Sequence, residues 1–563
     1  MSKNNHFDVI VIGSGISGGW AAKEFCDQGL KTLVLDRGRD VKHIKDYPTA
    51  HMDPWEFEHG NHLPLALSKE NPIASRCYAF KEDAQHFFLK DAEQPYVQEQ
   101  PFDWIRADAV GGKSLLWARQ VQRWSDYDFQ GPARDGFAVD WPIRYSDIAP
   151  WYSYVEQFIG VSGNRDGNKA MPDGEFLPAF EMNTVEKVIQ DKIHAKYPKR
   201  QVIQGRCAHI TAPQEIHIKQ GRTQCQARSL CQRGCPFGGY FSANASTLPW
   251  AEKTGNLTLR PHSIVHSIIY DDSQNKAIGV LVIDRDTKDT LEFYAKVIFV
   301  NASTIASNQI LLNSKSKRFP NGLGNDSGTL GKYVAFHNYI GGIWGNMEGY
   351  EDKYYYGRRP TNPLIPNFRN VDKQETDFLR GYASFYSASR WRGVHTEGDQ
   401  VGGVYKDNLT ELGGWGVGMM IQGETIPKEH NHVRLSEQEF DKYGIPQVVT
   451  AIVYDDNDAK STDDFLVQGA EMLEAAGVKN ISTNKNYRNP GLDIHEMGGA
   501  RMGKDPKTSV LNKWNQLHDC KNVFVTDGAC MTSTGTQNPS LTFMALTARA
   551  SNYAIEELKK GNI

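Results

Sequence analysis

The stretch Gly13-Ser14-Gly15-Ile16-Ser17-Gly18 constrains the fold of this chain most, because of what flanks it. Ahead of it, Phe7-Asp8-Val9-Ile10-Val11-Ile12 reads as a short strand. Behind it, a helical pattern opens with Ile16 and Ser17 and runs to about Gln28, Gly29 ends it, and Lys31-Thr32-Leu33-Val34-Leu35 is a second strand. Strand, glycine turn, helix and strand in that order form a βαβ unit that binds a dinucleotide. Gly13 permits the tight turn, Gly15 lets backbone N–H groups approach a pyrophosphate, and Gly18 lets the helix sit close to the sheet. Asp36, with Arg37 beside it, stands at the end of the second strand, where a carboxylate accepts ribose hydroxyls. The pattern serves FAD and NAD alike. Its place near residue 1, with the densest polar and glycine signals in residues 491–563, favours a flavin held by both ends of the chain.

A chain of 563 residues is too long for one hydrophobic core, so two or three structural units are expected. Residues 40–99 lose periodicity and read as long connections lying over a core. Strand patterns return at 256–260, 263–269, 277–283 and 290–300, followed by a helix from Thr304 to Asn313. Residues 340–460, rich in Gly, Trp and Tyr and including Gly414-Trp415-Gly416-Val417-Gly418-Met419-Met420-Ile421, suit an antiparallel sheet of a second domain. A helix from Asp463 to Ala476, closed by Gly477, follows it.

With 39% hydrophobic and 23% charged residues and a formal charge of −4, the chain offers no basic field for nucleic acid. No stretch approaches the ~20 apolar residues of a membrane span, and no export signal is read, so cytoplasmic residence is the default expectation. Eight cysteines are too sparse for a disulfide scaffold, yet Cys207, Cys225, Cys231 and Cys235 fall together. Offsets of six and four from Cys225 through Cys231 to Cys235, with Pro236 after, suit a loop that wraps an iron–sulfur cluster. Structural zinc is disfavoured by the lack of paired C-x-x-C spacing, and buried unliganded thiols are the third reading. Cys207 reads as a bystander.

Further segments carry a family resemblance: Val110-Gly111-Gly112-Lys113-Ser114, Asn301-Ala302-Ser303-Thr304, His495-Glu496-Met497-Gly498-Gly499-Ala500-Arg501-Met502-Gly503, Val525-Thr526-Asp527-Gly528, and Asn538-Pro539-Ser540-Leu541-Thr542. With the N-terminal fingerprint they resemble, in order and over nearly all the chain, the glucose–methanol–choline (GMC) family of FAD oxidoreductases. The resemblance implies an α/β fold with a Rossmann-like FAD-binding domain and a second α+β substrate domain built on an antiparallel sheet. The expected FAD domain is discontinuous, from 1–40, 100–130, 200–337 and 490–563, with the cysteine loop at 207–235. Residues 41–99, 131–199 and 338–489 supply the substrate domain and connections. Gly111, Gly112 and Ser114 are then expected along the flavin, Val265 at the adenine, and Asp527 and Gly528 at the ribityl chain and diphosphate, with Asn538, Ser540 and Thr542 also binding the cofactor. Leu116, not His, precedes Trp117, so the FAD is expected to be non-covalent.

Family members pair a His in a glycine-rich loop with a His or Asn about forty-three positions later. His495 and Asn538 have that spacing, 538 − 495 = 43. Alcohol oxidation needs a base for the hydroxyl proton while hydride leaves the carbon, and a neutral imidazole suits that task near pH 7. The resemblance therefore implies His495 as general base and Asn538 as the group that holds the substrate oxygen. In the dehydrogenase branch, three cysteines spaced like Cys225, Cys231 and Cys235 bind a three-iron cluster that passes electrons onward. The ending Ser533-Thr534-Gly535-Thr536-Gln537-Asn538 looks most like glucoside 3-dehydrogenases. Gluconate-, sorbitol- or fructose-type dehydrogenases and a metal-free, peroxide-forming oxidase are the alternatives. Aromatic residues in 380–420 suit stacking on a sugar ring. Implied partners are a sugar or glycoside, a cytochrome c acceptor and a small subunit bearing a twin-arginine signal, with which related enzymes are co-exported to the periplasm.

Overall fold

The computed structural model describes residues 5–353, 360–392, 401–486 and 488–563. The fingerprint folds as its pattern requires: strand β1 (His6–Ile12), helix α1 (Ile16–Asp27) and strand β2 (Thr32–Leu35). Strands β3 (Leu257–Arg260), β4 (Ser263–Asp271), β5 (Lys276–Asp284) and β6 (Thr290–Val300) complete, with the short strand Val523–Val525, a seven-stranded sheet. Its order is β3-β2-β1-β6-β5-β4, and Val523–Val525 pairs with β6. Pairing is parallel from β3 to β6 and to Val523–Val525, and antiparallel from β6 to β4. Val9, Ile10 and Val11 are fully buried, as a central parallel strand covered on both faces must be, which explains their unbroken apolar run. Helix α2 (Thr304–Asn313) follows β6.

The close approach of α1 to the sheet depends on Gly18, where a Cβ would lie 1.8 Å from the Gly13 carbonyl oxygen. Gly13 itself turns with φ +95° and has no room for a side chain, since its Cβ would meet the Asn301 carbonyl oxygen at 2.3 Å.

A second sheet has another character. Strands β7 (His337–Asn338), β8 (Gly341–Met347), β9 (Tyr382–Arg392) and β10 (Leu412–Glu424), helix α3 (Asp456–Ala475) and strand β11 (Lys479–Lys485) build it, with Pro363–Ile365 and Ile203–Gln204 at its far edge. All its pairings are antiparallel. One face packs Ile343, Tyr382, Tyr386, Trp415 and Met419 with Phe465 and Met472 of α3. Helix α3 begins seven residues before the expected Asp463, 463 − 456 = 7. The acid-rich lead-in is its cap: the Asp455 side chain accepts from the Asp458 amide at 3.2 Å, and the Asp458 carboxylate returns a bond to the Asp455 amide at 3.0 Å.

A third, smaller sheet joins the two. Its strand Met497–Gly499 pairs antiparallel with Lys332–Ala335, Met497 opposite Ala335. Residues two steps beyond each partner therefore meet as well, which brings His495 to His337. The last helix, α4 (Ser540–Lys560), packs on α1.

The Gly18 contact generates a prediction. Gly18→Ala forces α1 off the sheet, and overpacking of this kind costs about 1–3 kcal/mol. Denaturant unfolding should show a lower midpoint with unchanged slope, and an unchanged midpoint would mean that the helix has slack there.

Candidate active site

At the carboxyl ends of the parallel strands lies a cleft of about 760 Å³, the position at which open α/β sheets bind ligands. Gly13, Gly15, Ile16, Ser17, Asp36 and Arg37 line one end of it. Val265 also lines it, on the strand whose first residue, Ser263, donates its amide to the Asp36 carbonyl at 2.8 Å; Gly112, Ser114, Asp527, Gly528 and Ser540 line the cleft further on, together with His495 and Asn538. Three expected residues stand behind this lining. Gly18 abuts the Gly13 carbonyl, Gly111 donates its amide to the Ser14 hydroxyl at 2.8 Å, and the Thr542 hydroxyl bonds that of Tyr152 at 2.8 Å. They shape the walls rather than face the cleft.

Several groups on the cleft wall have no protein partner. Helix α1 carries no side-chain cap and no acidic residue in its first turn, so its amides and the positive end of its dipole stand bare. The Asn301 Nδ2, Glu496 Oε1 and Asn538 Oδ1 atoms are buried without a hydrogen-bond partner among the described residues. An anion at one end, hydroxyls along the middle and a flat polar ring at the other would satisfy this set, and FAD is such a molecule. The Asp36 carboxylate accepts from the Ser14 amide at 3.0 Å, from the Gly38 amide at 2.7 Å and from the Ser14 hydroxyl.

At the far end, His495 Nδ1 lies 2.8 Å from His337 Nδ1, and Asn538 Nδ2 lies 3.4 Å from His495 Nε2. Burial, with smaller contributions from the charge of Lys113 and, were it protonated, of His337, holds the His495 pKa well below its ordinary value. The imidazole is thus neutral at pH 7 and able to take a proton. Lys113 pairs with Glu496 at 3.2 Å. Burial raises Asp493 to about 7, although its Oδ2 accepts the His337 amide at 2.8 Å. Sequence reading missed His337, Asp493 and Tyr339. His337 stands 158 residues before His495 in an ordinary strand pattern, so only the pairing of the two strands could reveal it.

The Trp- and Tyr-rich span is mostly core. Tyr382, Tyr386 and Trp415 are buried under α3, while Phe385 and Met420 face the cleft; residues 393–400 of the span lie outside the described residues.

In the cysteine loop, Cys231 reaches the cleft wall and its carbonyl accepts from Arg119 Nη2 at 2.8 Å. The Cys225 thiol is pushed up to about 11 by burial, with Cys231 and Cys235 adding to the shift. The three sulfurs do not all lie within 4.8 Å of one another, whereas a single zinc ion with bonds of about 2.3 Å would draw them closer than that. Cys207 is fully buried against Ser162, whose Oγ is 3.3 Å from its sulfur, and burial, with Cys225 and Cys231 adding to it, raises its thiol to about 12.

Comparison with known proteins agrees with this geometry. Residues 7–338 and 427–547 match the N- and C-terminal models of the GMC oxidoreductases. The 2-methyl-1,2-propanediol dehydrogenase of Mycolicibacterium austroafricanum is 28% identical over 97% of this chain and 94% of its own length. The fructose dehydrogenase large subunit of Gluconobacter japonicus is 25% identical over 98% of both chains. Paromamine 6'-oxidase of Streptomyces fradiae is 25% identical over 98% of this chain and 92% of its own. Among solved structures, formate oxidase of Aspergillus oryzae RIB40 superposes with a TM-score of 0.63 at 11% identity over 100% of both chains, a likeness of fold. The architecture and cleft are those of an FAD-dependent oxidoreductase. The chain belongs to the GMC oxidoreductase family and acts on CH–OH groups. No helix among the described residues is long and apolar enough to cross a membrane.

The buried Asp493 carboxyl yields a pH prediction. Its folded pKa of about 7 lies above the ordinary 3.8, so the folded chain binds the extra proton and stability is lost as pH rises through that window. Asp493→Asn keeps an acceptor for the His337 amide and removes this loss. Unfolding at pH 5 and pH 8 should show the variant gaining on the parent at the higher pH, by up to about 1.4 kcal/mol per pH unit of the window; equal differences at both would refute the assignment.

Proposed function

We propose that this enzyme oxidises a secondary hydroxyl of a sugar or glycoside to a ketone, with the 3-hydroxyl of glucosides and disaccharides as the first candidate. The observation that carries the reading is the open contact between Asn538 Nδ2 and His495 Nε2 at 3.4 Å. A substrate hydroxyl inserted there accepts from the amide and donates to the imidazole, so both groups that must act on it are satisfied at once. His495 removes the hydroxyl proton, and Asn538 holds the oxygen while negative charge grows on it. FAD, held non-covalently along the glycine turn, Asp36, Arg37, Val265, Asp527, Gly528 and Ser540, supplies the acceptor for the hydride. Gly18, Gly111 and Thr542 support that site through the contacts behind it. Lys113, paired with Glu496 at the same end, adds positive charge near the reacting oxygen.

We assign Cys225, Cys231 and Cys235 to a three-iron cluster. The support is electrostatic. Arg119 and Arg222 are both buried beside this loop, and among the described residues neither pairs with a carboxylate. Burial lowers Arg222 to about 9, and Cys235 is the group that opposes the shift. Buried cations need a compensating anion, and thiolates around an iron–sulfur core would supply one. Such a centre, beside the cleft wall at Cys231, favours a dehydrogenase passing electrons to an external acceptor such as cytochrome c over a peroxide-forming oxidase. The relative described as a large subunit supports a small partner subunit, and export with that partner would bring the protein to the periplasm.

Two measurements test this. Under nitrogen, an effective glycoside should bleach the flavin absorbance, and His495→Ala should slow bleaching about 10²–10⁴-fold with the flavin still bound. Cys231→Ser should lose iron, sulfide and dye reduction while substrate still bleaches the flavin. Parent protein without iron would overturn the cluster, and bleaching at the parent rate in His495→Ala would overturn the base.

A further inference from the structure

The protons of the two histidines, whose rings meet edge to face at 89° with centroids 5.0 Å apart, can be counted, and the count has one solution. His337 is fully buried, and its Nε2 lies 3.2 Å from the Thr534 carbonyl oxygen and 3.1 Å from that of Gly535. Carbonyl oxygens only accept, so this nitrogen carries the hydrogen. In a neutral imidazole the other nitrogen is then bare. His337 Nδ1 therefore accepts, and the atom 2.8 Å away that must donate to it is His495 Nδ1. With its hydrogen on Nδ1, a neutral His495 has its lone pair on Nε2, which faces Asn538 and the cleft.

We propose that His337 is a positioning residue, which holds His495 in the tautomer whose bare Nε2 faces the substrate hydroxyl. The proposal rests on the reading of His495 as the base and adds to it a fixed proton address. When the substrate O–H bond breaks, the proton goes to Nε2 and His495 becomes an imidazolium whose Nδ1–H still donates to His337. The proton is not relayed further, because His337 Nε2–H is already held by two carbonyl oxygens. His337 thus favours the charged form of its neighbour by accepting from it, at no cost in charge of its own. Burial keeps His337 itself neutral, its pKa lowered to about 4.

Other ionisable groups surround the pair. Lys113 and Glu496 flank His495, Asp493 accepts the His337 amide, and the Tyr339 ring is centred 6.3 Å from that of His495. Tyr454 lies beyond Asp493, and burial holds both phenols well above their ordinary range. Asp493 titrates near 7. All are unchanged between two variants of residue 337, so comparing the variants isolates the acceptor.

His337→Asn places an amide oxygen where Nδ1 stood, keeping the acceptor and giving up the bond to the carbonyls. His337→Gln places an amide donor where Nε2 stood, keeping the carbonyl bond and giving up the acceptor. Both are prepared as holoenzyme, their flavin content read from the visible spectrum, and the rate of anaerobic flavin reduction by substrate measured from pH 5 to 9. The Asn variant should stay within about fivefold of the parent with the same acid limb. The Gln variant should fall about 10²-fold, with its acid limb moved to lower pH because the imidazolium has lost its acceptor. Equal losses in both variants, a Gln variant at the parent rate, or a slow Gln variant with an unmoved acid limb would overturn the proposal. Should the Gln variant not retain flavin, the Asn variant decides alone: parent-like rate and limb support the proposal, and a slow variant refutes it. None of these outcomes is the one that tests the base, since only His495→Ala reducing the flavin at the parent rate removes that reading.

Discussion

The hydroxyl of Ser14 is where the cofactor half of this molecule is tied together. It donates to the buried Asp36 carboxylate at the end of β2 and accepts the amide of Gly111, 97 residues along the chain. A carboxylate withdrawn from water must be met by donors, and loss of this hydroxyl would leave Asp36 with the Ser14 and Gly38 amides alone and Gly111 without its acceptor. The same logic recurs one strand away, where the Thr526 hydroxyl, after Val523–Val525, donates to Asn301 Oδ1 at the end of β6 at 2.7 Å. Short polar side chains at strand ends thus fix the spacing of the floor on which the ligand lies.

The sequence made that floor legible because its constraints are local. Gly13, Gly18 and Asp36 do their work within one βαβ unit, and the strands at 263–271, 276–284 and 290–300 with the helix from Thr304 carry their periodicity and turn residues with them. His495 and Asn538 were readable because a fixed interval in a recognisable pair of loops marks them. The histidine behind His495 was not. His337 meets His495 through the antiparallel pairing of Met497 with Ala335, and no residue near position 337 announces a strand partner so far along the chain. The start of α3 differs from expectation for the opposite reason: residues up to 460 read as part of the sheet span, and that Asp455 and Asp458 cap a helix shows only in their reciprocal bonds. Tyr382, Tyr386 and Trp415 show a further limit: alternation in β9 and β10 tells that two faces exist, but not which one a helix covers.

The antiparallel sheet separates two duties. Its inner face, filled by aromatic and methionine side chains against α3, secures the domain, while Phe385, Met420 and Tyr339 are turned toward the cleft. Substrate shape can be altered at Phe385 and Met420 without touching the Asn538 loop, because the backbone of that loop is fastened elsewhere, whereas the Tyr339 hydroxyl donates to Gln422, which is part of that fastening. Gln422 Nε2 donates to the Thr536 carbonyl at 2.8 Å, and Gln537 Nε2 to that of Ala170 at 2.7 Å. A common chemical end and an adjustable roof are what a family acting on many alcohols requires.

The central position of β6 has a consequence for synthesis. It is flanked by a strand from residues 6–12 and by another from residues 523–525, and the amide at Asn538 sits just ahead of the helix that packs on α1. A ribosome delivering this chain exposes the nucleotide-binding turn first and the pieces that complete its cleft last. Cofactor capture in full must therefore wait for residues 523–538, and while residues 301–522 are being made the half-built Rossmann sheet has the end of its middle strand, beyond the pairing with β5, open on one side.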